Sequence, residues 1–369
     1  MEDPTNAAIL AISEDRLEGF VVDPFGTIAE RSGLPVEVVL ERIGAMLRAG
    51  TIRRVRQTLM ATNLADGALV AWQVPQEQLD AAFDYLVRVD PFSGHVVIRT
   101  TDAATPGSTY RLWTTLKVPQ GYSLPKHAEF LRAKIGAERF RLMPAKCLFV
   151  LGVGHVRRRT VAPGERADTL AEPRDTKIVE LTPQDWRVLA ALKREFAAEE
   201  LVRDLWRPRA QEAGVSFDEF LSVARSLHDR GVIGRFSTVL EHVKATAGNL
   251  GNSVTRYNAL FHWAVPPGRE LEAGREVGRH YCMTHAYWRD GGPEFHNVNV
   301  MGVAHGTDKS LVLAHKAAID EHLAEAGIAV GYTNVFWGGR SEIKPSEISP
   351  LAFEEFCRTN GVDPETMRA

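Results

Sequence analysis

AERSGLPVEVVLERIGAMLRAGTIRRVRQTL, residues 29–59, and AQEAGVSFDEFLSVARSLHDRGVIGRFSTVL, residues 210–240, carry one pattern twice. Ala29/Ala210, Gly33/Gly214, Leu40/Leu221, Gly50/Gly231, Ile52/Ile233 and Arg54/Arg235 all stand 181 positions apart. The likeness continues downstream. VAWQVP (70–75) answers FHWAVP (261–266), and HVVIR (95–99) answers HAYWR (285–289), at offsets of 191 and 190. The extra residues fall in KATAGNLGNSVT (244–255), whose polar, Gly- and Asn-containing composition is that of a loop. The chain is a tandem duplication of one unit.

Each copy has a head and a tail. The head reads as an apolar-periodic helix, a short helix (FGTIAERS or WRPRAQEA), a turn through Gly33 or Gly214, a third helix, then Gly and a strand. That is a winged helix-turn-helix. The tail reads β-α-β-β-α-β, a ferredoxin-like order. In the first copy strands are predicted near 67–75, 92–101, 108–118 and 139–150, with helices near 76–88 and 124–136. In the second, strands are predicted near 256–265, 281–289, 297–305 and 328–337, with helices near 268–278 and 308–326. The fold class is α+β. The parsing is 1–60 and 180–241 for the heads, 61–154 and 242–340 for the tails, 155–179 for a charged, Pro-containing exposed linker, and 341–369 for an extension with a short helix near 350–360.

Composition leaves function open but removes some classes. The 369 residues are 44% apolar and 25% charged, with net charge −3, which argues against broad attraction to nucleic acid. No stretch has the roughly 18 apolar residues of a membrane helix, and the acidic start MEDPTNAAILAISEDRLEG is unlike a signal peptide. Cys147, Cys282 and Cys357 make no CxxC pair and suit a reducing compartment. A cytoplasmic protein is expected. A DNA-reading helix should open with neutral or basic side chains, yet the third helices open with Glu37 and Glu41, and with Asp218 and Glu219. These carboxylates suit helix capping. Arg53, Arg54 and Arg56 lie in the first wing, but the second keeps only Arg235. The heads therefore read as retained scaffold, and DNA is not expected as a partner.

The chemistry concentrates in HAYWRDGGPEFHNVNVMGVAHG (285–306). A hairpin turning near Gly292 and Pro293 sets His285 opposite about Met301, and His305 opposite about Tyr281. Period-two alternation then gathers His285, Tyr287, Arg289, Met301, Val303 and His305 on one face. The two imidazoles are expected roughly 13 Å apart, too far for one chelated ion and wide enough for a flat macrocycle. Cys282 points to the other face despite the CxxH spelling, so no protein-bound metal is expected. His296 falls in or beside the turn and is secondary. The first copy offers His95, Arg99, Tyr110, Arg111, Trp113 and Lys117, with Lys117 in the place of His305. Arg and Lys on such a face suit carboxylates.

GVIGRFSTVLEH (231–242), THAYWR (284–289) and NVNVMGVAHG (297–306) resemble the motifs of the siroheme decarboxylases, tandem or paired proteins of the Lrp/AsnC type. The likeness spans about residues 7–150 and 180–337. Two segments are similar to that family's VSHCYxR and WPYNxxxMxHG, with His296-Asn297-Val298 in place of Trp-Pro-Tyr. The resemblance carries the ligand-site residues onto His285, His305, Arg289 and Asn299. It implies non-oxidative loss of CO2 from two acetate arms of siroheme, giving 12,18-didecarboxysiroheme for haem or haem d1. It also implies no added cofactor, the iron belonging to the tetrapyrrole substrate. His285 and His305 would then be catalytic, one giving the proton and one orienting the carboxylate or approaching the iron. His95, Arg99, Tyr110, Arg111, Trp113, Lys117, Tyr287, Arg289 and Asn299 would bind substrate. The tandem copies would form an intramolecular pseudo-dimer, with a further homodimer left open. The competing readings are an Lrp/AsnC-type transcription regulator and a haem-binding relative with altered chemistry.

Overall fold

The computed structural model describes residues 3–60, 63–152, 154–158, 160–174, 176–241 and 255–369. The loop predicted at 244–255 therefore lies almost wholly outside the described residues.

The first head contains α1 (Pro4–Ser13), β1 (Leu17–Glu18), α2 (Pro24–Ser32), α3 (Val36–Arg48) and β2 (Ile52–Leu59). Asp3 and Asp23 cap α1 and α2, accepting from the backbone N–H of Asn6 and Gly26, and Gly33 ends α2 at φ 70°, where a side chain would be strained. The first tail follows as β3 (Ala65–Gln73), α4 (Leu79–Arg88), β4 (Ser93–Thr100), β5 (Leu112–Pro119), α5 (Leu124–Lys134) and β6 (Arg139–Leu151), then a single turn α6 (His155–Arg158). The second head is α7 (Pro183–Lys193), α8 (Arg207–Glu212), α9 (Phe217–Asp229) and β7 (Ile233–Leu240). Ser216 and Glu219 make a reciprocal capping box on α9, the role expected for that first-turn carboxylate. The second tail is β8 (Tyr257–Ala264), α10 (Glu270–Gly278), β9 (Met283–Arg289), β10 (Val300–Gly306), α11 (Lys309–Glu325) and β11 (Tyr332–Ile343), with α12 (Pro350–Thr359) after it.

Two compact units result, 1–60 with 152–160 and 179–256, and 61–151 with 161–178 and 257–369. Like parts of the two copies thus fold together. In the first unit the wing strands β2 and β7 pair antiparallel, Val55 opposite Thr238, in a sheet of order β1-β7-β2. Phe25 of the first copy packs edge-on against Phe236 of the second. Arg54 pairs with Glu195 at 3.0 Å, and Arg235 donates to the Glu14 carbonyl, so Arg54 and Arg235 serve contacts between the copies.

The second unit is a closed barrel of order β10-β8-β11-β4-β5-β3-β6-β9. Each copy supplies four neighbouring strands in the order second-third-first-fourth, and the fourth strand of each pairs with the second strand of the other. Closure leaves no unpaired edge. The helices cover the outside. Trp72, Phe83, Leu86 and Leu131 form one outer core, and Phe261, Trp263, Val277 and Ile319 form the other. The C-terminal extension completes the first of these, with Phe353 of α12 at 4.9 Å from Phe92 and 4.5 Å from Tyr122 between ring centres. The strand predicted to end near 337 runs on to Ile343, because GGRSEI pairs along β4 as far as His95.

The segment read as an exposed linker is exposed over most of its described residues, and its second part is also held in place: Arg166 bridges His280, Arg174 bridges Leu148, and the Arg279 and Arg275 side chains donate to the carbonyls of Ala167 and Ala171. Its charged composition suits solvent, but its backbone is held by arginines outside the segment.

Candidate functional site

Inside the barrel, alternate residues of each strand face one another. Ala71, Val97, Trp113, Met143, Leu260, Met301 and Phe336, one from each of seven strands, form an inner apolar cluster with Tyr110, Phe295 and Val298. Stepping by two places Arg99 and His95 on this face of β4, Lys117 on β5, Asn258 and His262 on β8, and His305 on β10. On β9, His285 lies opposite Val303, and Tyr287 opposite Met301. The register thus lies two residues from the one expected, a shift that keeps every side chain on its predicted face.

Two cross-strand rows repeat around the barrel. His305 pairs with Asn258, Asn258 with Gly338, and Gly338 with Arg99. The equivalent row runs from Lys117 to Gly67, then past Ala68 and Pro144 to Ala145 and Arg289. Each row sets an imidazole or ammonium and an arginine on either side of small residues. A Cβ at Gly67 would meet the Lys117 side chain at 2.7 Å, so glycine is what lets that lysine lie across the strand towards Arg289.

The imidazoles are closer than predicted. His285 Nδ1 lies 3.1 Å and His305 Nδ1 3.2 Å from the same Thr284 hydroxyl, so their separation cannot exceed those two distances laid end to end. The expected 13 Å set His285 opposite Met301, four residues from His305; with His285 opposite Val303 the step is two residues, roughly 7 Å. A β-bulge between Val303 and Ala304 then adds one residue to β9 and turns Thr284 towards His305. Among the described residues no group of three or more His, Cys, Asp or Glu could hold a metal ion.

The surroundings favour neutral forms and anionic ligands. Lys117 is brought down to about 7, first by burial and then by Arg289, with Asp66 opposing. Burial alone brings Arg99 to about 9. Burial also lowers Arg289, which stacks over Tyr287 at 4.5 Å and donates to the Met143 carbonyl. Tyr287 is pushed up by burial and lies parallel to His285 at 6.0 Å. A bound carboxylate would offset the desolvation these cations carry.

Other predicted residues do different work. Asn299 is spent on the backbone of Val265, accepting from its N–H and donating to its carbonyl at 2.9 Å each, so it shapes the strand end and does not join the cluster. Arg111 donates to the Arg99 carbonyl and to Gln76. Tyr110 and Trp113 pack on Phe295, which the 290–299 loop folds inward; they plug the lumen. His95 is half-buried, its backbone N–H donating to Thr115. His296 is exposed and stacks on Tyr332 at 4.2 Å.

Sequence reading missed three residues: Thr284, Asn258 and His262. Thr284 stands inside the THAYWR segment but was passed over for its histidine, Asn258 lacks a motif, and His262 was visible as the polar residue standing where the first copy has Ala71. It is fully buried against Trp113 and Phe336, and neither ring nitrogen has a hydrogen-bond partner among the described residues. Burial, then Arg99 and Lys316, lower it to about 3. The folded form is therefore neutral while the unfolded chain takes up a proton below about pH 6.5. Stability from this position is complete above that value and lost as pH falls towards 3, by roughly 2 kcal/mol at about pH 5. Thermal unfolding of His262→Leu is expected to fall less than that of the native chain between about pH 7 and 5. Parallel curves would show that burial does not hold this ring neutral.

An AsnC-like ligand binding domain profile matches residues 64–149. The siroheme decarboxylase of Hydrogenobacter thermophilus is 26% identical over 78% of this chain and 79% of its own length. The siroheme decarboxylase NirH subunit of Stutzerimonas stutzeri is 28% identical over 34% of this chain and 70% of its own. The crystal structure of the siroheme decarboxylase NirDL matches with a TM-score of 0.65 at 20% identity, covering 97% of this chain and 99% of that one. The structure of NirDL in co-complex with an iron-uroporphyrin III analogue matches with a TM-score of 0.64, again at 20% identity, over 97% of both chains. The chain is thus similar in sequence to siroheme decarboxylases over 78% of its length, and 97% of it matches the NirDL fold.

Proposed function

We propose that this protein is a carboxy-lyase that removes CO2 from acetate side chains of siroheme, giving 12,18-didecarboxysiroheme for haem or haem d1. The observation that carries the reading is the lumen face of the barrel, where His285 and His305 meet at Thr284 within a setting that also holds Arg99, Lys117 and Arg289. Siroheme presents eight carboxylates, which need cations to hold them, and its acetates need a proton as CO2 leaves. Both requirements fall on one face of one unit. Each head acts as a winged helix-turn-helix scaffold and each tail as a ferredoxin-like ligand domain, in a cytoplasmic protein.

The lumen residues suggest the following division of work. Arg99, Lys117 and Arg289 grip substrate carboxylates, the arginines through paired N–H donors. The inner apolar wall desolvates the reacting acetate and favours its departure as neutral CO2. As the carbon–carbon bond breaks, its electron pair remains on the ring-bound carbon, and an imidazolium proton is delivered there to complete the methyl group. Imidazole suits this step because its proton affinity lies near working pH. No added redox cofactor enters this scheme.

Anaerobic incubation with siroheme, followed by mass spectrometry, tests the reading: loss of two CO2 per molecule is expected. Folded protein that leaves siroheme unchanged would overturn it. A transcription regulator would instead bind its own promoter region with steep salt dependence, and a haem-binding relative would develop a Soret band with no change of mass.

A further inference from the structure

Hydrogen-bond donors and acceptors around the two histidines define a chain whose direction is fixed at one end. Arg99 Nη1 donates to Asn258 Oδ1 at 3.0 Å, and a guanidinium can only donate. This sets the amide, so Asn258 Nδ2 faces His305 Nε2 at 2.8 Å. An NH2 group can only donate, so His305 Nε2 accepts and its ring proton sits on Nδ1. That Nδ1–H points at Thr284, whose single hydroxyl proton goes to the Val303 carbonyl at 2.9 Å. Thr284 therefore also accepts from His285 Nδ1–H.

We infer that Asn258 and Thr284 are positioning residues: they hold His305 as the neutral Nδ1–H tautomer and leave His285, through its Nε2, as the proton donor of the pair. A second proton on His305 Nε2 would set two donors against each other, and Asn258 cannot turn to relieve this while Arg99 holds its oxygen. His305 then acts through Thr284, aiming the His285 ring. In the reaction the Nε2–H bond of His285 breaks, its proton forms the new C–H bond at the carbon that loses CO2, and solvent restores the proton. The chain links the copies, because Arg99 belongs to the first tail and the other members to the second. Lys117 and Arg289 carry the remaining charge on this face, and Tyr287 flanks His285. The role given to the His285 proton rests on the decarboxylase reading; the tautomer of His305 does not.

The test is imidazole 15N NMR of the whole chain, with His305 assigned by loss of its signals in His305→Gln. Between about pH 6 and 8, where an ordinary histidine titrates, the native protein should keep His305 singly protonated on Nδ1. In Asn258→Asp the oxygen now facing Nε2 is an acceptor, and a second proton should appear on that ring. With siroheme, the same variant should lower kcat about 10-fold or more with little change in KM, since proton delivery and not binding is disturbed. If His305 of the native protein carries its proton on Nε2, or takes a second proton in that range, the inference is overturned. If the tautomer is as stated and siroheme is unchanged by native protein, the decarboxylase reading fails alone.

Discussion

Replacing His285 by alanine is expected to lower siroheme turnover by roughly 10²–10⁴-fold, the range over which a positioned general acid contributes. The ring is only half-buried and stacks against Tyr287, so its loss leaves the barrel standing. Circular dichroism and thermal unfolding should stay close to native while product mass fails to appear. Substrate binding should also survive, because the carboxylates are held by Arg99, Lys117 and Arg289; the deficit belongs in kcat. Turnover within about 3-fold of native would move the acid elsewhere, and the strongest remaining candidate would be Lys117, brought to about 7 at the first-copy position that answers to His305.

Much of this arrangement was legible in the sequence, for a physical reason. Duplication shows the tail elements twice, so those predicted from periodicity lie within a few residues of those observed, apart from the longer β11. Parity was equally safe. A hairpin register can slip by two without turning any side chain over, so His285, Tyr287 and Arg289 reached the face expected of them. Distance was not safe, because the same slip of two halves the step from His285 to His305, and the bulge at Val303 and Ala304 adds a residue to β9. Nor could the pattern show that a single barrel gathers the inner faces of both copies: strand pairing between β6 and β9 and between β4 and β11 is set by edges, which carry little signal in one sequence. The same limit hid Asn258, whose role depends on an arginine 159 positions away. The motif likeness at Asn299 pointed to a residue that the structure commits to the Val265 backbone.

The aromatic plug of the lumen carries the largest expected effect on stability. Trp113 is fully buried, donates its indole N–H to the Tyr110 carbonyl at 2.7 Å, and packs against Phe295, Phe336 and His262. Truncation to alanine removes the whole indole and leaves a void bordered by strands of both copies, which the closed ladder cannot collapse to fill. The cost should be roughly 3–5 kcal/mol, lowering Tm by about 10 °C for a unit of this size. Calorimetry of the whole chain would measure it. Phenylalanine at this position keeps most of the packing and gives up only the N–H donor, so it should recover more than half of the loss. If Trp113→Ala unfolds with a loss below about 1 kcal/mol, the inner cluster is not what holds the barrel closed, and stability must then reside in the two outer cores where the helices cover the sheet.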